Sequence, residues 1–267
     1  MPGNILTIDQ GNTRTKLVVW NEDGSIIYDK VIFNNPLNRE NPLSFSDISR
    51  ILENNNVSMA FWASSGNLDN HVFSQIREQL NGNAGVISES VELSYNIISS
   101  YKGKLGIDRF LGYVGSTELF PFTNLLVVDA GSALTIDVVD SDCRFRGGNI
   151  SPGYVMRLES LNAKTAHLPM ISTNGHVRSF GINTVSAIRS GVVMGMVAEI
   201  ADSFERAKKT YNVSKIVMTG GDVPLLLPYL EKRGLDIYHD PYLVCRGMFA
   251  VKNETKRSPA YLNYTLV

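Results

Sequence analysis

Apolar residues open this chain in short β-branched runs separated by brief polar turns, the spacing of strands that fold back on one another. Residues 4–9, 14–20 and 25–33 read as three such strands, and the polar stretch from Asn34 to Pro42 as a loop. The pattern then alternates. A helix is predicted over 46–55, a strand over 57–63, a helix over 69–80, a short strand over 84–88 and a helix over 107–118. The second half repeats the order. Strands fit 124–129, 133–140 and 143–150, and Pro152 opens a helix. A long helix fits 184–210, with Val185, Ile188, Val192, Val197, Ile200 and Phe204 broadly on one face. A strand at 214–219, a helix at 223–232, a strand at 235–238 and a helix at 243–252 complete it.

Strand triplets followed by α/β alternation, twice over, predict an α/β protein with mixed sheets flanked by helices. The expected division is 1–119 and 120–267, with the boundary in Leu119–Asn124, where Pro121 interrupts the pattern. The two halves also share a signature. Leu6–Trp20 reads LTIDQGNTRTKLVVW and Leu126–Asp140 reads LVVDAGSALTIDVVD. With Asp9 laid on Asp129 they agree at six positions. Each is strand, Asp-x-Gly turn, strand. Two such halves are expected to offer their polar turns to one shared cleft, suited to a nucleotide's phosphates and its metal ion.

Composition narrows the classes. Of 267 residues, 43% are apolar and 19% charged, enough for a sizeable core and unlike a disordered chain. The net charge of −1 argues against a general nucleic-acid coat, which needs clustered cations. Cys143 and Cys245 have no metal-ligand spacing and imply no disulfide framework. The start, MPGNILTID, lacks the basic region of a signal peptide. No apolar run approaches the roughly 20 residues of a bilayer span. The expectation is a soluble cytoplasmic protein with no nucleic-acid or membrane partner.

Five segments could carry chemistry. In Asp9-Gln10-Gly11-Asn12-Thr13-Arg14-Thr15-Lys16, Gly11 permits a tight turn that leaves backbone N–H groups for phosphate oxygens. Asn12, Thr13 and Thr15 add donors, Lys16 adds charge, and Asp9 stands where a hydrated Mg²⁺ would bridge protein and phosphates. Asp129-Ala130-Gly131-Ser132 repeats the turn, with Thr135 and Asp137 on the next strand. Thr219-Gly220-Gly221-Asp222 lets a flat ring lie against backbone, or is a plain turn with Asp222 as helix N-cap. Leu105-Gly106-Ile107-Asp108-Arg109 sets a carboxylate beside a guanidinium at a helix start. Asp108 can accept a hydroxyl proton and Arg109 can clamp an anion; the bland alternative is a helix-starting acid and a surface base. Last come Gly147–Gly153 and Gly181-Ile182-Asn183-Thr184, where Thr184 opens the long helix as an N-cap or as a carboxylate contact. Gly191 and Gly195 in that helix mark close helix packing, within or between subunits. No G-x-x-x-x-G-K-[ST], kinase H-R-D loop or H-x-x-x-H is present. From the residues alone the reading stops at a kinase or ATPase of the actin-like class.

The ordered set DQGNT, LGIDR, DAGSALTID, GGNISPG, GINTVSAIRSG, TGGD and DPYLVCRGM, over residues 5–249, resembles type III pantothenate kinases. The resemblance implies two ribonuclease-H-like halves of the acetate and sugar kinase/Hsp70/actin superfamily. It implies ATP-dependent phosphorylation of pantothenate to 4′-phosphopantothenate, the first step towards coenzyme A. It also implies a homodimer that uses Mg²⁺ and a monovalent cation, K⁺ or NH₄⁺. By position, Asp9 to Lys16 would be the first phosphate loop and Asp108 the proton acceptor. Gly106, Ile107, Asp108, Arg109, Thr184 and Tyr101 would contact pantothenate. Asp129 would hold the monovalent cation, and Ser132, Gly220 and Gly221 would contact ATP. Ser132 replaces the family's usual Thr, keeping the hydroxyl. The family's Tyr-x-x-Pro-x-x-Leu-Gly-x-Asp-Arg spacing is shortened here: Tyr101 lies two residues closer to Asp108, without the Pro. A non-catalytic regulator on the same fold and a sugar kinase of the same superfamily are the alternatives.

Overall fold

The computed structural model describes residues 3–34, 44–66, 68–87 and 105–257, the last six as backbone only. Tyr101 and most of the loop expected at 34–42 lie outside these residues. The chain forms two compact units.

The first begins with β1 (Asn4–Gln10), β2 (Arg14–Trp20) and β3 (Ile26–Phe33), an antiparallel meander. α1 (Phe45–Asn54), β4 (Val57–Ser64), α2 (Asn70–Gln79) and β5 (Ala84–Val86) follow. β4 and β5 add in parallel on the other side of β1, giving the order β3-β2-β1-β4-β5. Alternation on the strands sets the two faces. Leu6, Ile8, Leu17 and Val19 meet Ile48, Ile51, Val72 and Ile76 of α1 and α2. α1 starts where Ser44 accepts a hydrogen bond from the Asp47 amide and its hydroxyl donates to the Asp47 carboxylate. α3 (Ile107–Leu119) also belongs to this unit.

The second unit repeats the plan. β6 (Leu125–Ala130), β7 (Ala133–Val139) and β8 (Phe145–Pro152) form the meander. α4 (Tyr154–Lys164), α5 (Thr184–Tyr211), β9 (Lys215–Thr219), α6 (Val223–Glu231) and β10 (Ile237–His239) follow. The order β10-β9-β6-β7-β8 matches the first sheet strand for strand, with β9 and β10 parallel. Its core joins Leu126, Val128, Leu134, Ile136, Ile216 and Met218 to Ile188, Val193, Met196 and Val197 of α5. By length and composition α5 could cross a bilayer, which the sequence reading did not anticipate. Its buried stripe is part of this core.

Three expectations change. Pro152 ends β8, and α4 begins at Tyr154 with Gly153 as N-cap. Thr184 is the first residue of α5, and Asn183 is its cap, in a capping box with Ser186. The last helix, α7 (Leu243–Arg257), packs with the first unit although the sequential split at 119/120 assigned it to the second half. Phe249 of α7 lies against Trp20, ring centroids 5.2 Å apart. α3 and α7 cross so closely that a methyl on Gly247 would sit 2.0 Å from the Leu111 carbonyl oxygen.

Candidate active site

In the first unit the Asp-x-Gly turn joins β1 to β2, and cross-strand register sets Lys16 opposite Asp9. The Asp9 carboxyl is pushed from an ordinary 3.8 up to about 6. Desolvation by burial is the main cause; Asp108 pushes the same way and Lys16 opposes them. Asp9 therefore feels both Lys16 and Asp108, although Asp108 is remote in sequence. Asp108 stands in the first turn of α3, where the helix dipole favours a carboxylate. Its Oδ1 accepts from the Arg109 amide at 2.8 Å, and its other oxygen makes no hydrogen bond among the described residues. Ile107 and Arg109 are buried, so Arg109 is not the surface base of the bland reading.

The turn is braced by a residue that the sequence did not single out. The Asn34 amide nitrogen donates to the Gly11 carbonyl at 2.7 Å, and its oxygen accepts from the Thr15 hydroxyl at 3.0 Å. Asn34 N–H also bonds the Thr13 carbonyl. Only this long-range geometry reveals it; an isolated Asn after a strand carries no such signal. Of the turn's N–H groups, expected to be available to phosphate, that of Gly11 is used inside the turn on the Arg14 carbonyl. The Asn12 N–H makes no hydrogen bond among the described residues and remains available. Gln10 turns its side-chain oxygen to Trp62 Nε1, and the Arg14 guanidinium lies over the Phe33 ring at 5.1 Å.

In the second unit the corresponding turn is one residue shorter. Gly11 N–H reaches Arg14, whereas Gly131 N–H reaches Ala133. Lys16 opposite Asp9 therefore corresponds to Thr135 opposite Asp129. Two glycines close over this turn. A methyl on Gly153 would lie 2.0 Å from the Gly131 carbonyl oxygen and 2.7 Å from that of Ser132. Gly220, at φ +102, would set one 2.3 Å from the Ala130 oxygen and 2.5 Å from Asp129 Oδ1. The Asp129 carboxylate thus leans over Gly220. Asp222 occupies the N-cap position of α6 but makes no side-chain cap there. Its Oδ2 accepts from the Tyr154 amide of α4 at 3.3 Å, while its own amide bonds the Ala130 carbonyl. It caps the neighbouring helix and ties two turns together. Ser132 is exposed at the turn, and Thr184 is exposed at the start of α5.

A carboxylate with a lysine beside it, and a carboxylate under a glycine-packed turn, are each of a chemistry suited to handling phosphate. Among the described residues no group of three or more His, Cys, Asp and Glu is placed to hold a metal ion.

The pH response of Asp9 has a definite sign. A folded-state value above the unfolded one means the folded chain keeps its proton between about 3.8 and about 6. The stability this contributes is complete below that window and lost as pH rises through about 6. We expect Asp9→Asn to match the parent in thermal melts at pH 4 and to exceed it increasingly up to pH 7. A gap independent of pH would place the titration elsewhere.

Comparison with known proteins agrees with this chemistry. Residues 5–206 match the family model of type III pantothenate kinase. A type III pantothenate kinase of Flavobacterium johnsoniae is 36% identical over 228 residues, covering 85% of this chain and 89% of that protein. A Bacteroides fragilis type III pantothenate kinase is 29% identical over 93% of this chain and 97% of its own length. Among solved structures, a Campylobacter jejuni protein described as a Baf family transcriptional activator superposes with a TM-score of 0.56. It is 24% identical and covers 96% of this chain and 99% of its own. The Clostridium difficile activator of 2-hydroxyisocaproyl-CoA dehydratase, with bound ADPNP, gives 0.51 at 14% identity over 98% and 100%. These two likenesses establish the fold. By the family match and the identity of its relatives, the chain belongs to the type III pantothenate kinase family.

Proposed function

We propose that this chain transfers the terminal phosphoryl group of ATP to the hydroxyl of pantothenate, forming 4′-phosphopantothenate, the first step of coenzyme A synthesis. The observation that carries the site assignment is that Asp108, remote in sequence, is close enough to Asp9 within one unit to push its carboxyl up, in the same direction as the larger effect of burial. One carboxylate holds the phosphate side of the reaction and the other serves the hydroxyl side. Bound ATP with its magnesium ion supplies the phosphoryl group and part of the charge neutralisation such transfers need.

The chain's own residues have separable tasks. Asp108 accepts the hydroxyl proton through the oxygen not committed to Arg109. Lys16 offsets negative charge beside Asp9. The segment Gln10 to Thr15 cradles phosphate, with the Asn12 amide as a donor. Ser132, Gly220 and Gly221 contact the nucleotide in the second unit. Gly106, Ile107 and Arg109 in the first unit, and Thr184 at the start of α5 in the second, are the proposed pantothenate contacts; Tyr101 lies outside the described residues. Asp129 fits a monovalent cation, K⁺ or NH₄⁺, because its row neighbours across the sheet, Thr135 and Thr219, are neutral oxygen donors.

The protein acts as a cytoplasmic homodimer in this reading. Gly191 and Gly195 are exposed on α5, with open space where side chains would stand, leaving a face on which a partner helix can pack. Phe180, Ile182 and Val185 expose apolar surface beside the same helix start. A monomer by sedimentation at assay concentration excludes this arrangement.

A coupled ADP-release assay tests the function. Release should require pantothenate, and Thr184→Val should raise the pantothenate KM by roughly tenfold, with less effect on the ATP KM. ADP release indifferent to pantothenate overturns the substrate; an unchanged pantothenate KM in Thr184→Val removes that contact.

A further inference from the structure

Thr219 ends β9 and is 1% exposed, yet its hydroxyl has no hydrogen-bond partner among the described residues. The other buried hydroxyls behave differently. Thr7 donates to the Val18 carbonyl and accepts from Trp20 Nε1; Thr15 bonds Asn34; Ser116 and Thr117 bond carbonyls one turn back in α3. Ser190 accepts from the Arg178 amide and Ser203 from Arg206. A buried hydroxyl left unpaired lowers stability, and a valine would fill the same volume without that cost. The position therefore calls for an explanation outside the chain's own hydrogen bonds, such as an ion or ligand.

Sheet register supplies one. Thr219 is the parallel partner of Asp129, and Thr135 is the antiparallel partner on its other side. Period-2 alternation puts all three on the face opposite the α5 core, since Met218, Val128 and Leu134 belong to that core. The Asp129 carboxylate leans towards Gly220, the residue that follows Thr219. The matching row of the first sheet reads Lys16, Asp9, Ala63. There an ammonium and a methyl flank the carboxylate; here two hydroxyls do. One sheet brings its own cation to the aspartate, and the other brings neutral oxygens.

We infer that the Thr219 hydroxyl is a neutral oxygen ligand for a monovalent cation held at Asp129. The inference rests on the cation reading of Asp129 given above. It assigns to the last residue of β9 a binding task distinct from that of the glycines after it.

The test is thermal melting of the full chain in KCl against tetramethylammonium chloride at equal ionic strength, a readout independent of turnover. The parent should gain stability with KCl. Thr219→Val should melt at the same temperature or about 2–4 °C higher in tetramethylammonium. Its KCl concentration for half-maximal stabilisation should rise roughly tenfold. Thr219→Ser should keep the parent response within about twofold. If the valine variant does not fold, Thr219→Ala removes the same oxygen with less bulk. A Val or Ala variant with the parent's KCl response overturns the assignment of Thr219 while leaving the cation at Asp129. A parent that gains nothing from KCl overturns the cation site itself, and Thr219 with it.

Discussion

Asp108→Asn should lower kcat by about 10²- to 10⁴-fold, the usual contribution of a positioned general base. The fold should survive. The Asp108 oxygen that accepts the Arg109 amide has an equivalent in asparagine, so the first turn of α3 keeps its hydrogen bond. What disappears is the basic oxygen and the charge. The charge can be followed separately, because Asp108 helps to hold the Asp9 carboxyl up at about 6. In Asp108→Asn the Asp9 transition should move to lower pH, since one of the two influences raising it is gone. Loss of turnover together with that downward move identifies a base that shares its field with Asp9. A folded Asp108→Asn protein with near-parent turnover excludes Asp108 as the base. A turnover loss with the Asp9 transition unmoved would leave the base but break the electrostatic pairing.

How far the sequence foretold this site depends on what each residue's role rests upon. Asp9, Gly11, Asp129 and Gly131 were legible because a strand, a tight turn and a strand are local, and local patterns survive in one dimension. The overlay failed past the turn. It paired Thr15 with Thr135, but the second hairpin is one residue shorter, so Thr135 corresponds to Lys16. A slip of one residue exchanges the two faces of a strand. The matched letters Thr, Val and Val after the turn are therefore not spatial equivalents, and the contrast between a lysine and a threonine beside each aspartate was hidden. Asn34 was invisible for another reason: it braces a turn from beyond two strands. The sequence offers Asp222 as a cap for its own helix, the nearest choice and one of two readings of that segment, while its carboxylate caps α4. For α7, the apolar positions Leu243, Val244, Met248 and Val251 foretell a buried helix face. They cannot say which sheet receives it, and chain order pointed to the wrong one.

The second large effect is expected at Gly153, whose role is steric. Gly153→Ala should raise the ATP KM or lower kcat by about 10²-fold together, because misplacing a binding turn by about 1 Å has that scale of effect. The added methyl would lie 2.0 Å from the Gly131 carbonyl oxygen and 2.7 Å from the Ser132 oxygen. Both atoms are backbone, so neither can rotate away as a side chain could. The Gly153 amide also bonds the Ser132 carbonyl at 3.1 Å, which fixes the two strands of contact at their present separation. The turn or the start of α4 has to move, and Asp222 couples the two by bonding Tyr154 and Ala130. Overpacking of this kind costs about 1–3 kcal/mol, so the melting temperature should fall by several degrees without loss of the fold. The pantothenate KM should change less than the ATP parameters if the second turn serves the nucleotide. Equal damage to both substrates would mean that the turn holds the whole site rather than its nucleotide side. Parent-like ATP kinetics in a folded Gly153→Ala protein would remove the Ser132 turn from nucleotide binding.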